Sequence, residues 1–353
     1  MDNFIPEIRK LAERVSETES KRKRFAGFLR DINPETGIIT KLEPDPLDDV
    51  KIVGIDGGIS KKSLHGFDFM LVRAAGAFFH YRNGGLHNVD YFPSKLPMPK
   101  PFIMEALSDL DWAHSAAIER QDMEIMTAIK CIDKFQPDIL LLDGSVVPHY
   151  SERPAKSSAV YARYSEMLDN YNRLYSKATK TGTILAGVIE DSRGMMFCNM
   201  IKSDVLSKVE HSVVTELIHI LDKTRDTNML FWALERGERS LVFPYSSRPE
   251  EHPVLKEMPA FMDKIHSFYL KTAEHDRPVR VDVTDKDQID KLASILLSIS
   301  GQHSGYGIPV PLIEADNIVK LSDNEMDFVY SQIMGYVGNL PGAMKLRREQ
   351  RPF

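Results

Sequence analysis

Two aspartates in this chain each follow an apolar run and precede glycine. Asp56 lies in VGIDGGIS (residues 53–60), and Asp143 lies in ILLLDGS (residues 139–145). Two unrelated turns would explain both, because Asp-Gly and Gly-Gly are strong turn formers. If the two runs are neighbouring strands, the carboxylates lie side by side, and like charges in a poorly solvated place require a proton or a cation. The pair therefore favours a divalent metal site, with Mg²⁺ or Mn²⁺ expected because both prefer oxygen ligands.

Other acidic residues are candidates for completing such a site. Glu124 borders the apolar stripe of a long helical stretch, and Arg120 precedes it by one turn, a spacing that is common in surface ion pairs. In IPVPLIEAD, Pro309 and Pro311 at alternate positions predict an extended edge segment, which would bring Asp316 to the end of the sheet. A further charged cluster follows an apolar run and contains Glu190, Asp191 and Arg193.

Hydrophobic periodicity predicts the elements that position these residues. A helix is expected over residues 3–32, and three mainly antiparallel strands follow from Val50, the second with a bulge at AAGA. The next expected elements are a helix over 104–135, a strand over 139–142, a helix over 156–182 and a strand in TILAGVIED. Later ones are a helix over 205–221, strands in RSLVF and RPVRVDVT, a helix over 289–298 and a terminal helix from Ser322. This order predicts an α/β fold around a mixed sheet, because strands that are apolar throughout are covered by helices.

The bulk composition describes a globular protein and restricts its partners. The chain has 353 residues, of which 42% are hydrophobic and 27% charged, enough for one large domain or two ordinary ones. No apolar run is long enough to span a membrane, and Cys131 and Cys198 lack the spacing of a zinc site, so we expect a reduced, cytoplasmic protein. The net charge of −6 suits an acidic metal centre but repels nucleic acid, so any contact with DNA needs local positive charge.

Several motifs follow one another in an order that resembles the NurA nuclease family. They are IVGIDGGIS, an Arg-xxx-Glu helix, ILLLDGSVV, RVDV and IPVPLIEAD, and they extend over residues 50–325. The resemblance implies an RNase H-like core with a mixed five- or six-stranded sheet flanked by helices, plus an N-terminal helix and an inserted helical region. It also implies a homodimer that cleaves single-stranded DNA and DNA ends with Mn²⁺ or Mg²⁺. Its implied partner is a HerA-type hexameric ATPase, in DNA end processing or defence.

The resemblance also assigns domains and roles to particular residues. The implied parts are an N-terminal helical arm (1–45), a nuclease domain (46–330) with an insertion at about 193–275, and a basic C-terminal helix or tail (331–353). By position, Asp56, Glu124 and Asp143 match the metal-binding acids of the family, and Asp316 stands where the family often has histidine. A carboxylate there still ligates Mn²⁺ or Mg²⁺. A metal ion held by these acids would polarise the scissile phosphate and generate hydroxide from bound water.

Basic residues near the same motifs are the expected phosphate contacts. Lys61, Lys62 and Arg73 would steer phosphates toward the acids, which otherwise repel them. Arg193 would offset negative charge in the transition state. These four residues complete the predicted nuclease site.

Two alternative functions stay open at this stage. Ile308 stands where the family commonly has tyrosine, and Glu190 where a lysine is expected. Together with Asp316, these departures fit a catalytically weakened dimeric adaptor for a ring ATPase. A metal-dependent phosphoesterase of small substrates would also use an Asp-Gly strand end. That function predicts a small enclosed pocket, whereas a nuclease needs an open basic channel.

Overall fold

The computed structural model describes residues 4–337. Its strands are β1 (Ile39–Lys41), β2 (Val50–Ser63), β3 (Phe67–Arg82), β4 (Gly85–Phe92), β5 (Lys100–Glu105), β6 (Ile139–Asp143), β7 (Ile184–Ile189), β8 (Glu238–Ser240), β9 (Phe243–Pro244), β10 (His266–Leu270) and β11 (Val279–Val283). Its α-helices are α1 (Phe4–Asp31), α2 (Asn33–Thr36), α3 (Asp109–Phe135), α4 (Tyr161–Thr181), α5 (Met196–Met200), α6 (Ser212–Leu217), α7 (Asp226–Ala233), α8 (Ile289–Ser298), α9 (Val310–Val319) and α10 (Asp323–Val337). Within the described residues, the strands form a single sheet of eleven strands.

The middle of the sheet has the RNase H-like strand order. The strands lie side by side in the order β4-β3-β2-β6-β7. Strands β2, β6 and β7 are parallel, whereas β3 is antiparallel to both β2 and β4. Helices α3 and α4 precede β6 and β7 in the chain and supply the crossovers that parallel strands require. The predicted fold class, a mixed α/β sheet flanked by helices, is confirmed.

Side chains of β2 alternate between two faces that helices cover. Val53 and Ile55 pack in a cluster with residues of α3 and α4. Ile52 packs on the other face, in a cluster with residues of α8 and α9. Because successive strand residues point to opposite faces, Asp56 lies on the α9 face of the sheet and Gly57 on the α3 face.

The sheet is larger than the predicted five or six strands. The predicted strand RPVRVDVT is β11, and it pairs antiparallel with β7, with β10, β8 and β1 following outward. The predicted strand RSLVF divides into β8 and β9, which are too short for a clear alternation of polar and apolar residues. The helix predicted over 205–221 is interrupted before α6, because the side chain of His211 caps the start of that helix.

Two further local predictions are wrong. The segment around Asp316 is helix α9, not an extended edge. Pro309 is the N-cap of that helix and Pro311 lies in its first turn, where a missing N–H costs no hydrogen bond. The register shift in β3 falls between His80 and Tyr81 opposite β4, whereas the small residues of AAGA pair regularly with β2.

The N-terminal helix packs through its second half. Phe25 and Leu29 of α1 are buried in a cluster with residues of α5, α6 and α7. Apolar residues of the first half are exposed: Phe4, Ile5, Ile8, Leu11 and Val15. The domain boundaries at residues 45 and 330 stay predictions, and 338–353 of the predicted basic tail lie outside the described residues. Over the described part of the chain, no helix is both long and apolar enough to cross a membrane.

Candidate active site

Asp56 and Asp143 lie side by side on neighbouring parallel strands. The register of β2 and β6 pairs Ile55 with Leu142, so the next residue along each strand is one of the two aspartates. Their carboxyl groups are therefore close enough to affect each other's ionisation. Asp56 is 6% exposed, whereas Asp143 lies at the open side of the pair. The structure therefore brings together the two residues on which the predicted metal site depends.

Asp56 does not end a strand, contrary to the sequence-based expectation. Strand β2 continues to Ser63, and Gly57 and Gly58 pair with Ala74 and Arg73 of β3. The two glycines are therefore strand residues and form no turn. They are needed because helices approach this part of β2 from both faces.

The proximity of the two carboxyls changes their acidity. Burial and the charge of Asp143 raise the pKa of Asp56 to about 7, although the amide of Gly57 donates a hydrogen bond to Asp56 at 2.6 Å and opposes the shift. Partial burial of its carboxyl and the charge of Asp316 also raise the pKa of Asp143, although the residue as a whole is exposed. Without a cation, the pair retains a proton near neutral pH, because two like charges this close cannot both stay ionised.

Glu124 reaches the pair from α3 on the opposite face of the sheet. A Cβ atom on Gly57 would lie 2.6 Å from the Cγ atom of Glu124, so the missing side chain makes room for this carboxylate. Burial raises the pKa of Glu124 to about 8, opposed by Arg120, whose Nη1 atom lies 2.6 Å from Oε1 of Glu124. The pair of Arg120 and Glu124 is thus part of the acidic site and not the surface contact that the spacing suggested.

Asp316 approaches from α9, on the face that carries Asp56. Its charge acts on both Asp56 and Asp143, and its side chain is half-exposed and pairs with Lys320 at 2.6 Å. Helix α9 lies this close because β2 has glycines beneath it. A Cβ atom on Gly58 would lie 2.8 Å from the carbonyl carbon of Val319, where real Cβ atoms are essentially never found. Glu124 and Asp316 therefore lie within electrostatic reach of the aspartate pair, from opposite faces of the sheet.

Two further ionisable residues, Glu190 and Tyr306, lie near the acidic centre, and its charges affect their pKa values. Glu190, just after β7, is largely exposed, and partial burial of its carboxyl together with neighbouring acids that include Asp143 and Asp316 raises its pKa. Tyr306 is 40% exposed, and burial and the charges of the same acids raise its pKa. Ile308, at the position where the family commonly has tyrosine, is buried in the core. The sequence signal for Tyr306 was the GYG that precedes the two prolines.

The predicted phosphate contacts differ in their availability. Lys61 and Arg193 are exposed. Lys62 forms an ion pair with Asp327 of α10 at 2.5 Å. Arg73 is 8% exposed, and it donates hydrogen bonds to the carbonyls of Val319 and Lys320 and pairs with Glu325. We therefore assign Arg73 to holding the end of α9 and remove it from the phosphate contacts.

The loop after Asp143 is held by a buried carboxylate that the sequence analysis did not single out. Gly144 has a φ of 102°, which favours glycine, and Ser145 Oγ donates a hydrogen bond to Asp282 at 2.7 Å. Asp282, in the RVDV motif, is 0% exposed, and it also accepts hydrogen bonds from Ser267 and Arg280. Asp282 is therefore a positioning residue for the loop that presents Asp143.

We expect Ser145→Ala to loosen that loop and thereby lower the turnover rate of the reaction at the candidate site. The free energy of unfolding should fall by about 1–2 kcal/mol. Ser267→Ala is the matched control, because it removes a hydrogen bond of 2.6 Å to the same carboxylate without touching the loop. Steady-state kinetics and urea unfolding of both variants measure the difference. Equal turnover in the two variants would contradict the positioning role.

The site fits a divalent cation through the aspartate pair. Within residues 4–337, no group of three or more His, Cys, Asp or Glu side chains is placed where it could hold a metal ion. Of the four predicted acids, Asp56 and Asp143 are the two whose mutual repulsion requires a cation or a proton. Glu124 and Asp316 are turned toward Arg120 and Lys320, and the exposed Asp316–Lys320 pair costs little to open.

The fold and this centre define an RNase H-like α/β protein with carboxylates gathered beside its parallel strands. The sequence profile of the NurA domain matches residues 50–321, and the chain belongs to the NurA family. The predicted family is therefore confirmed. No curated protein matches the chain significantly in sequence.

Solved structures with a similar fold are also NurA proteins. The NurA nuclease from Sulfolobus solfataricus is 15% identical, with a TM-score of 0.57, over 93% of this chain and 97% of that one. A second NurA structure is 12% identical, with a TM-score of 0.53, over 95% and 99% of the two chains. A NurA structure bound to dAMP and manganese is 13% identical, with a TM-score of 0.50, over 98% and 100%. At this level of identity, the likeness concerns the fold.

Proposed function

We propose that this protein is a metal-dependent deoxyribonuclease that hydrolyses phosphodiester bonds in single-stranded DNA and at DNA ends. The observation that carries the proposal is the pair of Asp56 and Asp143, side by side on neighbouring parallel strands, with Glu124 and Asp316 within electrostatic reach. Family membership supports the same activity, and a similar NurA structure contains dAMP and manganese. Mn²⁺ is therefore the proposed cofactor, with Mg²⁺ as the related alternative.

The four acids have two proposed roles. Asp56 and Asp143 would hold the ion, whose charge would offset their mutual repulsion. The ion supplies a polarised phosphate and a bound water of lowered pKa. Buried Glu124 would complete the binding site or orient the attacking water after leaving Arg120, and Asp316 would do so from α9. Lys61 and Arg193, both exposed, would contact phosphates.

The open side of the centre favours a long substrate. Asp143 is exposed and Asp316 half-exposed, so a strand of DNA is able to reach both from solvent. A phosphoesterase of small molecules would instead enclose its substrate. The adaptor alternative does not explain the acids. Like charges packed together destabilise a fold, and a protein without catalytic activity has no function for them.

The partners of the enzyme are also proposals. We infer a homodimer that acts with a HerA-type hexameric ATPase in DNA end processing or defence, on the basis of family membership. The exposed apolar residues of α1 are available for such contacts. A cytoplasmic location agrees with Cys131 and Cys198, which are free and buried, because reducing compartments preserve thiols.

A metal titration tests the proposed function directly. We expect labelled single-stranded DNA to be cleaved in Mn²⁺, more weakly in Mg²⁺, and not in EDTA. Saturating Mn²⁺ should also raise the melting temperature by about 5 °C, because the ion binds the folded state only. Asp290→Asn is the control variant, since it changes an exposed carboxylate paired with Arg239. Cleavage that persists in EDTA would overturn the proposal, as would the absence of both Mn²⁺-dependent changes.

A further inference from the structure

Three arginines from separate segments of the chain line one open cavity of about 390 Å³. Arg193 follows β7, Arg225 precedes α7, and Arg277 precedes β11. Thr227 and Asn228, in the first turn of α7, contribute polar groups to the same cavity. Guanidinium groups repel one another, so their convergence in one cavity is favourable when an anion is bound there.

The arginines retain most of their hydrogen-bonding capacity. Arg193 is exposed, and its side chain forms no ion pair with any residue of the described chain. Arg225 donates one hydrogen bond, to the carbonyl of Arg193 at 3.0 Å. Arg277 pairs with Asp191 at 3.3 Å, and this exposed contact is weak enough for a stronger anion to replace. Since Asp191 is the one carboxylate lining the cavity, the lining is positively charged.

Hydrogen bonds join two of the three segments that line the cavity. Thr227 Oγ1 donates a hydrogen bond to the carbonyl of Ser192 at 3.2 Å, and the amide of Asp226 donates to the carbonyl of Gly194 at 2.9 Å. The buried carboxylate of Asp226 accepts hydrogen bonds from two amides of α5. These bonds tie the turn after β7 to the first turn of α7.

The cavity lies beside the acidic centre. Asp143 pairs with Val188 of β7, and five residues after Val188 the chain reaches Arg193 of the cavity lining. Glu190, which lies between them in the chain, is within electrostatic reach of both Asp143 and Asp191. A chain of nucleotides that crosses Asp143 is therefore able to continue into the cavity.

We propose that this cavity, which we call the arginine pocket, binds a backbone phosphate of the DNA strand that is cleaved at the acidic centre. The inference rests on the proposed function. A chain with a net charge of −6 and an acidic centre repels DNA, and a local cluster of guanidinium groups offsets this repulsion. The planar guanidinium fork matches two phosphate oxygens at once. Because the contact is to the backbone, the pocket positions the strand without reading its bases.

Binding measurements separate the arginine pocket from catalysis. We expect each of Arg193→Gln, Arg225→Gln and Arg277→Gln to weaken binding of a labelled single-stranded oligonucleotide by about tenfold, and the triple variant by more, because each substitution removes a charged phosphate contact. All are made in the Asp56→Asn background, so that cleavage does not interfere, and binding is followed by fluorescence anisotropy. The dependence of log K on log salt should become shallower by about 0.7 for each phosphate contact that is lost.

Two further variants exclude a merely structural effect: a control outside the pocket, and a substitution that is expected to tighten binding instead of weakening it. Arg248→Gln removes another exposed arginine, paired with Glu251 outside the pocket, and should change binding less than about twofold. Asp191→Asn should tighten binding by about three- to tenfold, because it frees Arg277 and removes the negative charge from the pocket. A substitution that only damaged the local structure would not strengthen binding.

Neutral methylphosphonate linkages locate the contact. A single neutral linkage is placed at successive positions of the oligonucleotide. At one position it should weaken binding to the parent Asp56→Asn protein, whereas binding to the triple arginine variant should not change at that position. The pocket is overturned if the triple variant binds with unchanged affinity and salt dependence while wild-type protein cleaves DNA in Mn²⁺. If the triple variant loses binding but wild-type protein never cleaves, the pocket stands and the proposed nuclease function fails.

Discussion

Asp56→Asn is expected to lower DNA cleavage by about a thousandfold and, at the same time, to stabilise the protein in the absence of metal. The loss of cleavage follows because the amide is neutral and no longer holds a cation with Asp143. The gain in stability follows because the substitution removes one of two like charges that burial forces together. The change should also abolish the rise in melting temperature that Mn²⁺ produces. Gel-based cleavage assays and thermal unfolding with and without Mn²⁺ measure both effects.

The pH dependence of the metal-free protein tests the same electrostatic argument. The folded state raises the pKa of Asp56 from 3.8 to about 7, so the protonated carboxyl favours folding. That stabilisation is complete at pH values below 3.8 and is lost as the pH rises through about 7. In EDTA, the free energy of unfolding of the Asp56→Asn protein should therefore equal the wild-type value at acidic pH. At slightly alkaline pH it should exceed the wild-type value by about 2 kcal/mol.

The controls for this experiment are other carboxylates of the chain. Asp143→Asn should lose cleavage to the same extent, because the ion needs both members of the pair. Asp290→Asn, an exposed carboxylate in an ion pair with Arg239, should keep wild-type cleavage and stability. Near-normal cleavage by the Asp56→Asn and Asp143→Asn proteins would falsify the assignment of the acidic centre.

Gly58→Ala is expected to lower the free energy of unfolding by about 3 kcal/mol, an unusually large effect for the addition of one methyl group. The new Cβ atom would lie 2.8 Å from the carbonyl carbon of Val319 and nearer still to its oxygen, and both belong to the backbone of α9. Backbone atoms are not able to rotate away as a side chain does, so α9 and Asp316 must shift together. Urea unfolding measures the loss in stability, and cleavage assays should show a parallel loss of activity.

Two other glycines give matched comparisons. Gly57→Ala places its Cβ atom against the side chain of Glu124, which is able to move, so we expect a smaller loss of stability but a clear loss of cleavage. Gly27→Ala, on α1, has no atom within 4 Å of the added carbon and should be neutral or slightly stabilising. Wild-type stability in the Gly58→Ala protein would show that α9 does not depend on the bare backbone beneath it.

The acidic pair was predictable because its signal is local. Each aspartate closes an apolar run, and two such runs read as buried parallel strands whose carboxyl ends share one edge of a sheet. The conclusion was correct although one premise was not, since β2 runs past Asp56 to Ser63. The turn was a reasonable expectation from Asp-Gly-Gly, but pairing with the whole of β3 overrode it.

The neighbours of the pair were not predictable in the same way. The two prolines near Asp316 read as an extended edge, yet Pro309 and Pro311 start helix α9, because proline is tolerated both in edge strands and in the first turn of a helix. Burial of Asp282 beneath the Asp143 loop had no local signal either. Its neighbours in the RVDV motif are ordinary strand residues.

By itself, the sequence determined the α/β class, the family, and the acids that are candidates for the metal site. These features depend on periodicity and motif order, which record whether a residue faces the core and which chemistry it carries. Only the tertiary structure decided that Arg73 is structural, that Gly57 and Gly58 make room for Glu124 and α9, and that three distant arginines share one cavity. Such contacts join segments far apart in the chain, and the packing of the whole sheet determines them.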